Sequence, residues 1–433
     1  MWRRKNRDRE ENEDLGECIP NLREVITLPL GQVDELVRVY MRTFESTHRI
    51  LHIPSFWKEY REYWRDKEKG SLDFVAVLLL VMACGLLLHH GVDPLAAGKH
   101  RQMAVRWVQS VERYLCHKHR PDMALVRLHC LMILAKRISC IDTHLAWSEV
   151  GALVRIAMSM GLHRDPDKLR KISLFHAEMR RRLWATILEI DLQAAMERGM
   201  PVLISEGDYD CRPPLDINDW DIVESTEAIA EHIFHPGSLT ETSFQVILLR
   251  SFPIRLEIAR LINNLQFDPP YEEILRLDKE VQRCFRELPQ LFRLSTKTPT
   301  DDALLLPRQL LDLHIRRFLL LLHMPFAIRA MHDLQYSYSR HVCVENASII
   351  LLHLKEFTDT RDLRALFFKD EHVQAALSVC LELHMDKPAA GELVLPSPQR
   401  QAHSRTQLWH YRVTCGTSSA TPPWPWSIVC CKC

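Results

Sequence analysis

From Leu30 onward, apolar positions recur at steps of three and four. Val33, Leu36, Val37, Tyr40, Met41 and Phe44 therefore fall on one side of a helix. The spacing predicts an ordered domain from about residue 29. A second helix is predicted over about 145–160, where Val150, Leu153, Val154, Ala157 and Met160 share a face and Gly161 stands ready to end it in a left-handed turn. The third is the longest. Ser173 can cap it, and Phe175, Met179, Leu183, Ile187, Ile190 and Ala194 form one stripe that runs until Gly199-Met200-Pro201. A loop follows, carrying Asp208, Asp210 and Pro213-Pro214. Further helices are predicted at about 243–265, 271–287, 304–322 and 341–357, separated by proline or by polar clusters such as Asp268-Pro269-Pro270. Strict apolar and polar alternation is nearly absent and no fixed-period repeat emerges, so the fold class is all-α.

Length changes this picture more than composition does. The chain has 433 residues, and single cores rarely grow past roughly 250–300, so two packed helical lobes or one extended array are expected. Only 13 residues are Gly, where average usage of about 7% would give roughly 30; helices joined by short turns suit that scarcity. Net charge is zero, so nothing global draws the chain to nucleic acid or anionic lipid. The longest apolar run, Phe74 to Leu88, is shorter than the ~20 residues of a membrane span and reads as a buried helix. The 13 Cys are scattered singly until the end of the chain, as reduced thiols of a nucleocytoplasmic protein would be. Residues 1–28 read as a charged flexible segment without a secretory core, 29–387 as the helical domain, and 388–433 as a disordered tail or a gene-model artefact.

Against this helical background, several segments resemble a known family. Ala157-Met158-Ser159-Met160-Gly161-Leu162-His163-Arg164-Asp165, then Arg181-Arg182-Leu183-Trp184, then Asp191, Gly199 and Pro201 resemble, in that order, the fungal-specific transcription factor domain that follows zinc binuclear-cluster modules. Arg49-Ile50-Leu51-His52-Ile53-Pro54-Ser55-Phe56 resembles the domain's opening, and Ser339-Arg340-His341-Val342-Cys343 with Ala347 a later helix. The pattern departs at Met200, where the family commonly has Arg, and at Ala185, where a second aromatic is common. The resemblance implies a nuclear transcriptional regulator that is not an enzyme. It would work through protein partners in the transcription machinery, as a homodimer or heterodimer, and touch DNA only indirectly or through a missing module. Gly161, Leu162, His163, Arg164, Arg181, Arg182, Trp184, Asp191, Gly199 and Pro201 are its motif residues, with structural or regulatory roles.

The chemistry on offer is sparse. Arg180 to Arg182 fan around a helix, so at least one must lie near the buried stripe and needs a carboxylate. Glu189 and Asp191 lie too far along the helix for one-turn pairing, so the partner is expected from another element. The family's DNA reader needs six clustered Cys holding two zinc ions, and Cys18 is the only Cys before Cys84. Zinc is therefore expected only in a missing N-terminal module, and no cofactor in this chain. Arg3, Arg4, Lys5, Arg7 and Arg9 leave three readings open: a residual linker, a nuclear-localisation signal or a solvated terminus. Cys116-His117-Lys118-His119 and His232-Ile233-Phe234-His235 are poor metal sets, because the first pair of His diverges by about 200° on a helix and the second lacks a third ligand. The double-cysteine ending Cys430-Cys431-Lys432-Cys433 lacks the context of a prenylation signal. Two rivals are an α-helical enzyme using His163, Arg164 and Asp165, and a plain helical scaffold.

Overall fold

The structure is a computed structural model that describes residues 22–89, 94–118, 120–169, 172–226, 239–288, 302–359 and 369–385. Every assigned element among them is a helix: α1 (Leu30–Thr43), α2 (Glu45–His48), α3 (Ile53–Arg65), α4 (Leu72–His89), α5 (Pro94–His117), α6 (Met123–Ser139), α7 (Ala146–Ser159), α8 (Leu174–Arg198), α9 (Ser243–Arg250), α10 (Phe252–Ile262), α11 (Tyr271–Glu287), α12 (Asp302–Arg329), α13 (Ser337–Asp359) and α14 (Lys369–Met385), with short 3₁₀ turns between. The chain divides into two compact units, Met1–Ala259 and Arg260–Cys433.

In the first unit, α4 is apolar all round, and every side chain from Phe74 to Cys84 is buried. It lies among α1, α5 and α6. Gly85 sets its approach to α1, because a Cβ there would run into the Leu36 carbonyl. The ladder then continues through α7 to α8, which also packs on α6 and α9.

Helix α8 starts where Ser173 Oγ accepts the His176 amide, 3.3 Å away, and stops at Gly199, left-handed with φ 60°. The predicted stripe is buried, but so is most of the rest of the helix: Glu178, Arg181, Arg182, Thr186, Asp191 and Gln193 are all inside. A one-sided amphipathic reading undercounts it, because the neighbouring loops close over the polar side. Gly161 takes φ 72°, and the Leu162 amide reaches back to the Ala157 carbonyl at 3.0 Å, the double-turn stop that buries Leu162 completely.

Boundaries differ from the sequence reading in three stretches, of which 341–357 runs instead over Ser337–Asp359. The stretch 243–265 is two helices broken at Ser251, with Pro253 at the second position of α10, where no intrahelical amide is lost. The stretch 304–322 extends to 302–329 and keeps Pro307 and Pro325 inside the helix. In the second unit α12 packs on α11, α13 and α14, and α13 on α14. The basic residues Arg3 to Arg9, the pair His232 and His235, His119 and the tail from 388 lie outside the described residues.

Candidate functional site

The motif residues converge on α8 in the first unit, and charged side chains do most of the joining. Arg182 is fully buried. Its Nε donates to Glu178 at 3.0 Å, one turn back on α8, and its Nη1 donates to Asp219 at 2.6 Å. The expectation of a partner from another element is met by Asp219 and corrected by Glu178: the one-turn partner lies toward the N-terminus, the direction in which a helical side chain points.

Asp219 is the hub of the site. It sits in the 3₁₀ turn Asp219–Asp221, with no solvent exposure. One oxygen accepts from Arg182 and from Arg49 Nη2; the other accepts the Ile53 amide at 2.8 Å. His52 Nε2 lies 2.9 Å from the Asp219 carbonyl, and the Asp219 amide donates to Glu241 at 2.7 Å. Burial pushes the Asp219 carboxyl up, but Arg49 and then Arg182 outweigh it and hold it below the usual range. Arg49 takes a left-handed backbone, φ 49°, and its Nη1 donates to the Glu45 carbonyl at 3.2 Å. Glu45 accepts the Leu51 amide at 2.8 Å and the Tyr40 hydroxyl at 3.0 Å; burial raises its carboxyl to about 7 against the pull of Arg49.

A second cluster gathers around Asp165. It accepts from the Arg212 amide at 3.0 Å, Arg212 Nε at 2.9 Å, Arg181 Nη2 at 3.1 Å and the Asp167 amide at 2.9 Å. Burial opposes ionisation here too, yet the Arg212 and Arg181 hydrogen bonds win and bring Asp165 down to about 2. Asp210 accepts the Asp165 amide at 2.8 Å and faces Arg164 and Lys168. The His163 carbonyl receives the amides of Asp210 and Cys211, and its ring lies 6.2 Å from that of Trp184, which meets Tyr209 at 5.9 Å.

The third cluster holds the far end of α8. Asp191 accepts the amides of Leu203 and Ile204 at 3.0 and 3.2 Å, and burial lifts its carboxyl to about 6 in spite of them. The Pro201 carbonyl accepts from Trp147 Nε1 at 2.9 Å.

Together these contacts fasten one segment. Residues 199–222 have little regular structure, yet carboxylates from the body grip their amides: the buried Asp191 at 203 and 204, Asp165 at 212 and Glu178 at 215, and the half-buried Glu241 at 219. Each grip satisfies an amide that the strap cannot pair within itself. Of the motif residues, Arg181, Arg182, Trp184 and Asp191 lie on α8, Gly199 and Pro201 open the strap, and His163 and Arg164 contact it at Asp210. Sequence reasoning did not single out Asp219, Glu178, Arg212 or Glu241, and placed Asp210 only in a loop; Arg49 and Asp165 carried a signal, at the start and the end of quoted motifs.

The contacts of the three residues read as an enzyme alternative are structural ones: the His163 carbonyl accepts two strap amides, Arg164 faces Asp210 at the surface, and Asp165 is the clamp of the second cluster. In the second unit, Ser339 Oγ lies 2.9 Å from His323 Nδ1, and His323 Nε2 lies 3.6 Å from Asp278, a nucleophile–base–carboxylate order. Yet Ser339 is fully buried and shares its hydroxyl with Tyr271 at 2.9 Å, while Asp278 accepts from Tyr338 at 2.7 Å, so the group ties α11, α12 and α13 together. Among the described residues no three His, Cys, Asp or Glu stand close enough to hold a metal ion, so they do not fit a zinc cluster. No helix among them is long and apolar enough to cross a membrane.

The fungal-specific transcription factor domain model matches residues 37–265, a range that holds every cluster just described on the first unit. The transcription factor lepE of Aspergillus flavus is 34% identical over 365 residues, covering 81% of this chain and 43% of that protein. The transcription factor opdR of Penicillium oxalicum is 34% identical over 367 residues, 82% of this chain and 45% of that protein. The Zn(2)-C6 fungal-type transcription factor mpsB of Macrophomina phaseolina is 27% identical over 350 residues, 77% and 46% of the two chains. The chain thus spans less than half the length of these curated relatives. No solved structure matches.

Proposed function

Because the chain belongs to the fungal-specific transcription factor domain family, we propose that residues 29–387 are the helical regulatory body of a nuclear transcriptional regulator, acting through protein contacts without chemistry of its own. The observation that carries the reading is the use of the charged groups in the family's motifs. Arg49, Arg181, Arg182, Asp165 and Asp191 spend their charge and hydrogen bonds on fastening a strap to α8, which makes a body whose shape another protein can read. Partners are then proteins of the transcription machinery. Sequence-specific DNA contact, and zinc with it, belongs to a module of the kind that the name of mpsB describes, outside the described residues.

The test is transcript profiling of a strain lacking this protein against one with it restored, with the restored protein tagged. A coherent gene set that shifts, with the tag in nuclei, is the expected result; unchanged transcripts or a tag excluded from nuclei would contradict it. The purified chain should retain no stoichiometric zinc and give no sequence-specific DNA shift at ~150 mM salt.

A further inference from the structure

We infer that the 3₁₀ turn Asp219–Asp221 and the flank of α3 beside it form a docking surface for a basic, Lys- and Arg-rich segment of a partner protein, anchored on Trp220. Trp220 is 71% exposed, and Val223, three residues on, is 44% exposed. A lone exposed Trp on a loose loop would carry little meaning. This one stands on a turn locked on both sides. Before it, Asp219 is the buried hub; after it, Asp221 accepts the Asn218 amide at 3.0 Å and Ile222 is completely buried. The ring is thus held out to solvent by a backbone with little ordering left to do on binding, as an interface anchor is.

The charges around the ring choose the occupant. Residues 213–224 hold Asp216, Asp219, Asp221 and Glu224 and no Lys or Arg. Asp219 is neutralised inside by Arg49 and Arg182, whereas Glu224 is exposed. On α3, against which the turn packs, Glu59 and Glu62 are exposed one turn apart. These acids sense one another: partial burial raises the Glu59 carboxyl against the pull of Arg127, and the like charges of Glu62 and Glu224 add to the rise. Among the described residues, no ion pair joins Asp221, Glu224, Glu59 or Glu62 to a basic side chain. The bases of α3, Lys58, Arg61 and Arg65, fall on its outer face, about 100° or more around the helix from Glu59.

The carboxylates are therefore left for an incoming positive charge. A guanidinium or ammonium group can lie over the Trp220 face while its neighbours in sequence meet the acids. The same sign repels nucleic acid and anionic lipid, and a two-fold axis through the patch would set acid against acid. A basic polypeptide segment remains.

This deepens the regulatory reading, on which it rests, by naming the surface and the chemistry of the partner; peptide affinity and transcription are read separately. The full chain is titrated into fluorescent octa-arginine at ~50 mM salt, with octaglutamate and single-stranded octathymidine beside it. Octa-arginine is expected to bind, more weakly as salt rises, and the two anionic probes are not. Trp220→Ala should weaken binding about tenfold with helicity unchanged by circular dichroism, whereas Trp220→Phe, which keeps an aromatic face, should retain most of it. Glu59→Gln with Glu224→Gln should weaken it as well, and Glu272→Gln with Glu287→Gln, on α11, should not. Octa-arginine that fails to bind, an affinity indifferent to Trp220→Ala, equal loss from the α11 pair, or preference for an anionic probe overturns the inference. Peptide bound at Trp220 in a protein that moves no transcripts would remove the regulatory reading and keep this surface.

Discussion

At the scale of single residues, the account turns on Arg182 and Asp219, both without solvent exposure. Removing one partner of a buried pair strands the other, at a cost of about 3–5 kcal/mol. Arg182→Ala should therefore lower the unfolding free energy of the first unit, read from a urea titration, by that amount, whereas Arg212→Ala, whose side chain is 61% exposed, should cost far less. Arg182→Lys is not a repair, since one ammonium cannot fork to both Glu178 and Asp219. The carboxylates also set a pH dependence. Asp191 and Glu45 have folded values raised to about 6 and about 7, so the stability they contribute is full below their unfolded values and is lost as pH rises through about 6 and 7. Asp165 is held near 2, so its contribution is present above its unfolded value and lost on acidification toward 2. Comparing wild type with Asp191→Asn between pH 5 and 8 isolates the first effect: wild type should gain on the variant as pH falls through about 6, and a constant difference would refute it.

At the scale of elements, two devices are testable. Gly85→Ala forces α4 away from the Leu36 carbonyl and should cost about 1–3 kcal/mol, read as a drop in Tm. The strap gives a sharper test. Its amides at Leu203, Ile204, Arg212 and Leu215 should be protected from hydrogen exchange although no helix or sheet holds them, and Glu178→Gln should speed exchange at Leu215 more than at Leu203. Much at this scale was legible in the chain itself. Gly161, Ser173 and Gly199 mark helix ends because capping is local chemistry, and the apolar run of α4 announces its burial. The strap was not legible. Its carboxylates act at long range, as between Asp165 and Arg212 or Glu241 and Asp219, and neither Asp219 nor Glu178 sits in a pattern that separates it from a solvated acid. The burial of α8 on its polar side was hidden for the same reason, since the covering groups come from elsewhere in the sequence.

At the scale of the whole molecule, family membership and the helical fold agree, and the relatives are more than twice as long as the stretch they share with this chain. The central claim is that a body fastened by the Arg49–Asp219–Arg182 hub conveys regulation through protein contacts. The most direct measurement fuses the chain to an unrelated DNA-binding module in a fungal host and reads a reporter under that module's site, for wild type and for Asp219→Ala at matched protein level. The account predicts that the wild-type fusion shifts reporter transcription relative to the module alone and that Asp219→Ala abolishes the shift. A wild-type fusion that behaves as the bare module, or a shift that survives loss of the hub, would contradict it.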